Sequence, residues 1–174
     1  MRIYDGSDEP PDGDTPDRIK VGIAEYEVTT NGSVLTTSGL GSCIGVALHD
    51  EETGISGLVH AMLPSAEDEE EVEGGRAKFA DTGTEILLEE LEATGADMAS
   101  VEAKIAGGSA MLDFSDQGEA IGERNVDRAR AVLAAHDVPV VAEDVGGEHG
   151  RSVRLEGETG DYVVRSANEG SKTL

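Results

Sequence analysis

The chain has no tryptophan, a single cysteine, two phenylalanines and three tyrosines in 174 positions. A core with so few rings has to be assembled from Val, Ile, Leu and Ala. One cysteine excludes an internal disulfide, which suits a reducing cytoplasm. No apolar run approaches the roughly 20 residues that a membrane-spanning helix requires. Residues 1–17, acidic and rich in proline, contain no apolar stretch of the kind a secretory signal needs. Together these absences predict a cytoplasmic protein.

Positive charge is scarce as well. Thirteen bases oppose 37 acids, giving a net charge of −24, and the only lysines are Lys20, Lys78, Lys104 and Lys172. Such a chain repels phosphates, so nucleic acids and anionic lipid surfaces are excluded as partners. Carboxylates spread along the whole length, with so little lysine, predict adaptation to a cytoplasm at molar salt. There the Debye length shrinks to about 3 Å and self-repulsion is screened.

Residues 1–17 have little to bury and read as a disordered acidic tail. An ordered domain is expected over 18–167, and 168–174 reads as a flexible C-terminal tail. Residues 21–29 and 33–37 are expected to be strands joined in a hairpin by Asn31-Gly32. Residues 43–48, an almost unbroken apolar run, predict a strand covered on both faces. A turn at 50–54 leads to a strand at 55–62. Residues 65–75 form a charged loop without the alternating ligand spacing of a calcium site.

Apolar positions Phe79, Gly83, Ile86, Leu87 and Leu91 place a helix over 78–93, stopped by Gly95. A strand at 101–106 ends at Gly107-Gly108, where backbones can approach closely. A second amphipathic helix spans 121–136, with Val126, Ala129, Val132, Leu133 and His136 on its inner stripe. Strands follow at 138–142, 152–155 and 162–165. Seven or eight strands, with each helix between strands, predict an α/β layered sandwich of mixed β-sheets with two main helices.

Cys43 closes the run Thr37-Ser38-Gly39-Leu40-Gly41-Ser42-Cys43, and His60 lies on the next apolar segment. A thiol becomes a strong nucleophile when an imidazole takes its proton and amide groups face the developing oxyanion. Pairing 43–48 with 55–62 around the turn sets position 43 roughly opposite position 60, making Cys43 and His60 cross-strand neighbours. Thr37 ends the preceding strand, where its hydroxyl can reach the imidazole. His49, His136 and His149 have no such relation to Cys43. One Cys and four scattered His give no zinc spacing, and Gly107-Gly108 and Gly146-Gly147 lack the lysine of a phosphate loop. No metal and no cofactor are expected.

Six blocks in order complete the reading. They are Gly39-Leu40-Gly41-Ser42-Cys43, His60-Ala61-Met62-Leu63-Pro64, Lys78-Phe79-Ala80-Asp81-Thr82, the segment from Glu102 to Gly108, Ile121-Gly122-Glu123-Arg124-Asn125-Val126, and Ala142-Glu143-Asp144 with Gly146-Gly147. With them the chain resembles the chemoreceptor glutamine deamidase family, CheD. The resemblance implies Cys43 as nucleophile, His60 as base and Thr37 as the orienting hydroxyl, with Thr36 beside it as the alternative. It implies deamidation of glutamines on the cytoplasmic helices of methyl-accepting chemoreceptors, and hydrolysis of glutamyl methyl esters by the same route. It also implies a CheC-type phosphatase of CheY as partner and a fold shared with bacterial toxin deamidases. The extra acidic N-terminus and the acidic loop after Pro64 depart from the family pattern and fit the high-salt reading.

Two other readings compete. One is a regulatory binding module that docks to the phosphatase or receptor with little catalysis. The other is a thiol protease, disfavoured because no extended-peptide cleft is evident.

The charge pattern generates a direct expectation. Circular dichroism should report partial unfolding in dilute buffer and recovery of structure at molar KCl, and a spectrum unchanged across that range would contradict it.

Overall fold

The apolar run beginning at Cys43 becomes the middle strand of a sheet covered on both faces. In the computed structural model, which describes residues 17–68, 75–110, 120–167 and 169–174, ten strands and two helices are arranged in three layers. The strands are β1 (Arg18–Lys20), β2 (Tyr26–Thr29), β3 (Val34–Leu40), β4 (Ile44–Asp50), β5 (Ser56–Ala61), β6 (Val101–Gly107), β7 (Val140–Val145), β8 (Arg151–Glu156), β9 (Tyr162–Ser166) and β10 (Gly170–Thr173). Helix α1 (Ala80–Thr94) lies between β5 and β6, and α2 (Ile121–Ala135) between β6 and β7.

A central sheet runs β2-β5-β4-β6-β7 and an outer sheet runs β1-β3-β8-β9-β10. Both are mixed, since β1–β3 and β6–β7 are parallel and the remaining pairs antiparallel. The layered α/β expectation therefore holds.

Alternation along β4 explains the layering. Ile44, Val46 and Leu48 pack with Leu87 and Leu91 of α1 and Leu133 of α2, while Ala47 packs with Leu35, Leu155 and Tyr162 of the outer sheet. A strand buried on both faces needs apolar residues at every position, hence its unbroken hydrophobic run. Helix α1 ends at Gly95, whose φ of 117° lets its amide turn back to the Leu91 and Glu92 carbonyls.

Four expectations need correction. Asn31-Gly32 does not close a hairpin, because β2 pairs with β5 and β3 with β1 and β8, in different sheets. The Asn31 carboxamide oxygen instead accepts from the Thr29 hydroxyl (2.8 Å) and the Ser33 hydroxyl (2.6 Å), shaping a turn that carries the chain between layers.

His136 is exposed and lies one residue past the end of α2, off the buried stripe. Residues 170–173, read as part of a flexible tail, form β10 against β9, and the Leu174 amide donates to the Tyr162 carbonyl at 2.9 Å. An edge strand of polar residues has no apolar alternation to betray it. The fourth correction concerns the register of β4 and β5 and is given with the site. The acidic N-terminal reading falls on residues 1–16, outside the described residues, as do residues 69–74 of the charged loop.

Asp50, fully buried at the end of β4, gathers the loops at that edge. Its carboxylate accepts from the Glu52 amide (3.0 Å), the Asp97 amide (2.7 Å), the Thr53 hydroxyl and the Ser100 hydroxyl. Burial alone would raise its pKa, but these four donors outweigh that and hold it down at about 2. Removing the acceptor strands the donors, so Asp50→Ala should cost about 2–4 kcal/mol in urea unfolding at fixed KCl. A loss under about 0.5 kcal/mol would show that water satisfies them equally well.

Candidate active site

His60 sits in β5 directly opposite Gly45 of β4, and Ile44 is opposite Ala61. The expectation of 43 opposite 60 is thus two positions off, because the β4–β5 pairing is centred between positions 52 and 53, one residue later than that register requires. Cys43 lies two residues before Gly45, so it and His60 share one face of the sheet as a diagonal pair. In such pairs the backbones are about 7–8 Å apart. Cys43 is half-buried and packs against the cluster between the two sheets. Gly45 between them has no side chain, and the Tyr162 hydroxyl occupies that space, donating to the Gly45 carbonyl at 2.9 Å.

The outer sheet supplies the third member. Thr37 of β3 is buried, and its Oγ1 stands 2.7 Å from His60 Nδ1 and 2.7 Å from the Val21 carbonyl oxygen. The carbonyl can only accept, so the single hydroxyl proton goes to Val21. Oγ1 must then accept from Nδ1–H. This fixes the neutral imidazole with its lone pair on Nε2, an atom that is buried and has no hydrogen-bond partner among the described residues.

Just past Thr37 the register between β3 and β8 slips by one residue before Leu40. The extra residue is a bulge at Ser38-Gly39, with Gly39 at φ 78°, and it turns the chain toward Cys43. Thr36, the alternative orienting residue, alternates to the other face of β3, where it lines a surface concavity with Arg18 and Arg154.

The backbone around Cys43 is clamped from the opposite side. The Gly108 amide donates to the Cys43 carbonyl (2.9 Å) and the Ser109 amide to the Gly41 carbonyl (2.8 Å). Gly107, at φ 107°, presses so close that a Cβ there would lie 2.3 Å from the Cys43 carbonyl oxygen. The close approach expected at Gly107-Gly108 is therefore made to the cysteine itself.

Sequence reasoning assigned no role to Asn125. Fully buried in α2, its Nδ2 donates to the Ser42 carbonyl (2.8 Å) and the Met62 carbonyl (3.1 Å), tying together the ends of β4 and β5. An asparagine on an otherwise apolar helix stripe was the available signal.

Burial favours the neutral form of both candidate groups. Burial pushes the Cys43 thiol above its ordinary value, opposed in part by its own backbone amide, and burial pushes His60 down to about 4. Of the other histidines, His49 bonds Ser56 and His149 approaches Glu169. Among the described residues no group of three or more His, Cys, Asp or Glu side chains is placed to hold a metal ion. No helix among them is long and apolar enough to cross a membrane.

An imidazole held in one tautomer by a threonine hydroxyl thus shares a sheet face with a half-buried thiol, without a hydrogen bond between the two. The family model described as CheD chemotactic sensory transduction matches residues 62–166, and the chain belongs to the CheD family. It is 58% identical to a "Probable chemoreceptor glutamine deamidase CheD" of Haloarcula marismortui, with all of both chains covered. A Natronomonas pharaonis relative of the same description is 45% identical, covering 94% of this chain and 96% of its own. The "Chemoreceptor glutamine deamidase CheD" of Bacillus subtilis is 37% identical, covering 90% and 95%. The molar-salt adaptation expected from composition agrees with the first two relatives, which are haloarchaeal. The matched family segment begins just after His60, so the relation of Cys43, His60 and Thr37 stands on the geometry above.

The depressed His60 pKa has a thermodynamic consequence. Between about pH 6.5 and about 4 the unfolded chain holds a proton at this position that the folded chain does not. Its contribution to stability is therefore intact above pH 6.5 and drains away as pH falls through that window. Unfolding free energies measured from pH 7.5 to 4.5 should fall more steeply for wild type than for His60→Gln, by up to about 1.4 kcal/mol per pH unit. Parallel curves would place His60 in water.

Proposed function

We propose that this chain is a chemoreceptor glutamine deamidase working through a covalent thioester. The observation that supports it most is the hydrogen-bond relay from His60 Nδ1 through Thr37 to the Val21 carbonyl, which leaves Nε2 as a base facing the inter-sheet side that Cys43 shares. Burial favours the neutral thiol and the neutral imidazole, which supports general-base activation of the sulfur.

The glutamine side-chain carbonyl enters beside Cys43. Nε2 takes the thiol proton as sulfur attacks the carbonyl carbon, and the oxygen takes up negative charge near the Ser42 and Cys43 amides. The imidazolium returns its proton to the amide nitrogen, the C–N bond breaks, and ammonia leaves behind a thioester. Water, deprotonated by Nε2, attacks the thioester; the C–S bond breaks and the sulfur regains its proton, leaving glutamate. With a glutamyl methyl ester the same steps release methanol. Thr37 holds the ring in the tautomer that all of these transfers require.

Intact receptor supplies the test. Each glutamine converted gains about one mass unit, as replacement of NH₂ by OH dictates. Cys43→Ala and His60→Asn should abolish the gain, and Thr37→Val should lower kcat at least about tenfold while the protein stays folded. Wild-type activity in Cys43→Ala would refute the mechanism. A wild-type protein that binds a CheC-type phosphatase yet never alters receptor mass would favour the binding-module reading.

A further inference from the structure

Many bases of this acidic chain meet a carboxylate, Lys78 lies over the Phe79 ring and Lys104 donates to the Gly160 and Leu174 carbonyl oxygens, while three more gather on one face. Arg76, Arg128, Arg130, Arg151, Arg154 and Lys172 each meet a carboxylate. Arg18, Lys20 and Arg165 have no ion-pair partner among the described residues. All three are exposed and lie on the uncovered face of the outer sheet.

Strand register brings them together. Lys20 pairs with Thr36, Thr36 with Arg154, and Ser152 with Arg165, while the alternate residues Leu35, Val153 and Val164 point inward to the core. The result is an open concavity of about 480 Å³ lined by Arg18, Lys20, Arg154 and Arg165 among serines and threonines. The carboxylate that alternation places beside them, Glu156, is already paired with Arg154. The concavity is also lined by Thr37 and by Ser38 at the bulge that turns β3 toward Cys43, while the Thr37 hydroxyl itself faces the other side of the sheet.

We propose that this face docks an acidic stretch of the protein substrate and so presents a neighbouring glutamine to Cys43. The identity of the partner rests on the deamidase reading; the chemistry of the face does not. At molar salt the repulsion of a −24 chain is screened within about 3 Å. An acidic partner can then approach, and only direct contact pairs discriminate among surfaces. Unpaired guanidinium and ammonium groups on a rigid sheet are the sites where such contacts form.

Deca-glutamate serves as probe. Titrated into the full-length ¹⁵N-labelled protein in molar KCl, it should shift amides concentrated in β1, β8 and β9. The shifts should vanish in Arg18→Glu/Lys20→Glu/Arg165→Glu, a variant of exposed residues checked for folding by circular dichroism. With intact receptor that variant should raise KM about tenfold and leave kcat unchanged. A short uncharged glutamine peptide should show no change in either constant. Shifts elsewhere, shifts retained in the variant, or an unchanged receptor KM would overturn the proposal. So would shifts at the same amides, without peptide, on neutralising Asp5, Asp8, Glu9, Asp12 and Asp14, which would assign the face to the chain's own N-terminal segment. Should wild type leave the receptor unaltered, the deamidase reading fails and the titration alone decides the face.

Discussion

The site depends on one short relay between layers, in which a threonine of the outer sheet accepts a hydrogen bond from a histidine of the central sheet and donates one to a backbone carbonyl. Neither sheet contains the relay alone. Its geometry exists only when the two pack face to face, with Tyr162 reaching across to Gly45 a few ångströms away. Packing of the sandwich and preparation of the base are therefore one event. A buried imidazole that had lost this acceptor would also leave an N–H unsatisfied, at a cost of about 1–3 kcal/mol.

The same burial favours the neutral forms of the thiol and the imidazole. A standing thiolate would be open to oxidation and to any electrophile that diffused past. Under the proposed mechanism the thiol loses its proton only as a carbonyl arrives. Selectivity then falls to whatever delivers the glutamine, and a scaffold this rigid leaves that task to the surface around the site.

Much of this was legible in the chain because burial writes strong patterns. The unbroken run in β4, the periodicity of α1 and α2, and the glycine after α1 each have one physical explanation. That Cys43 and His60 fall beside adjacent paired strands could be anticipated from two apolar runs around a short turn, but the register could not, and it sets Gly45 opposite His60. What stayed hidden depends on partners far apart in sequence. Asn31-Gly32 specifies a turn but not which sheet receives the next strand. Polar β10 pairs through its backbone, and backbone pairing leaves no mark on side-chain pattern. Asn125 looks like any polar residue on a helix until the Ser42 and Met62 carbonyls are seen beneath it.

That last contact makes α2 a lever. One carboxamide grips the chain just before Cys43 and just after His60, so any force that tilts the helix moves both residues together. Pressure on the back of the molecule thus has a mechanical route to the hydrogen bond between His60 and Thr37 of the other sheet.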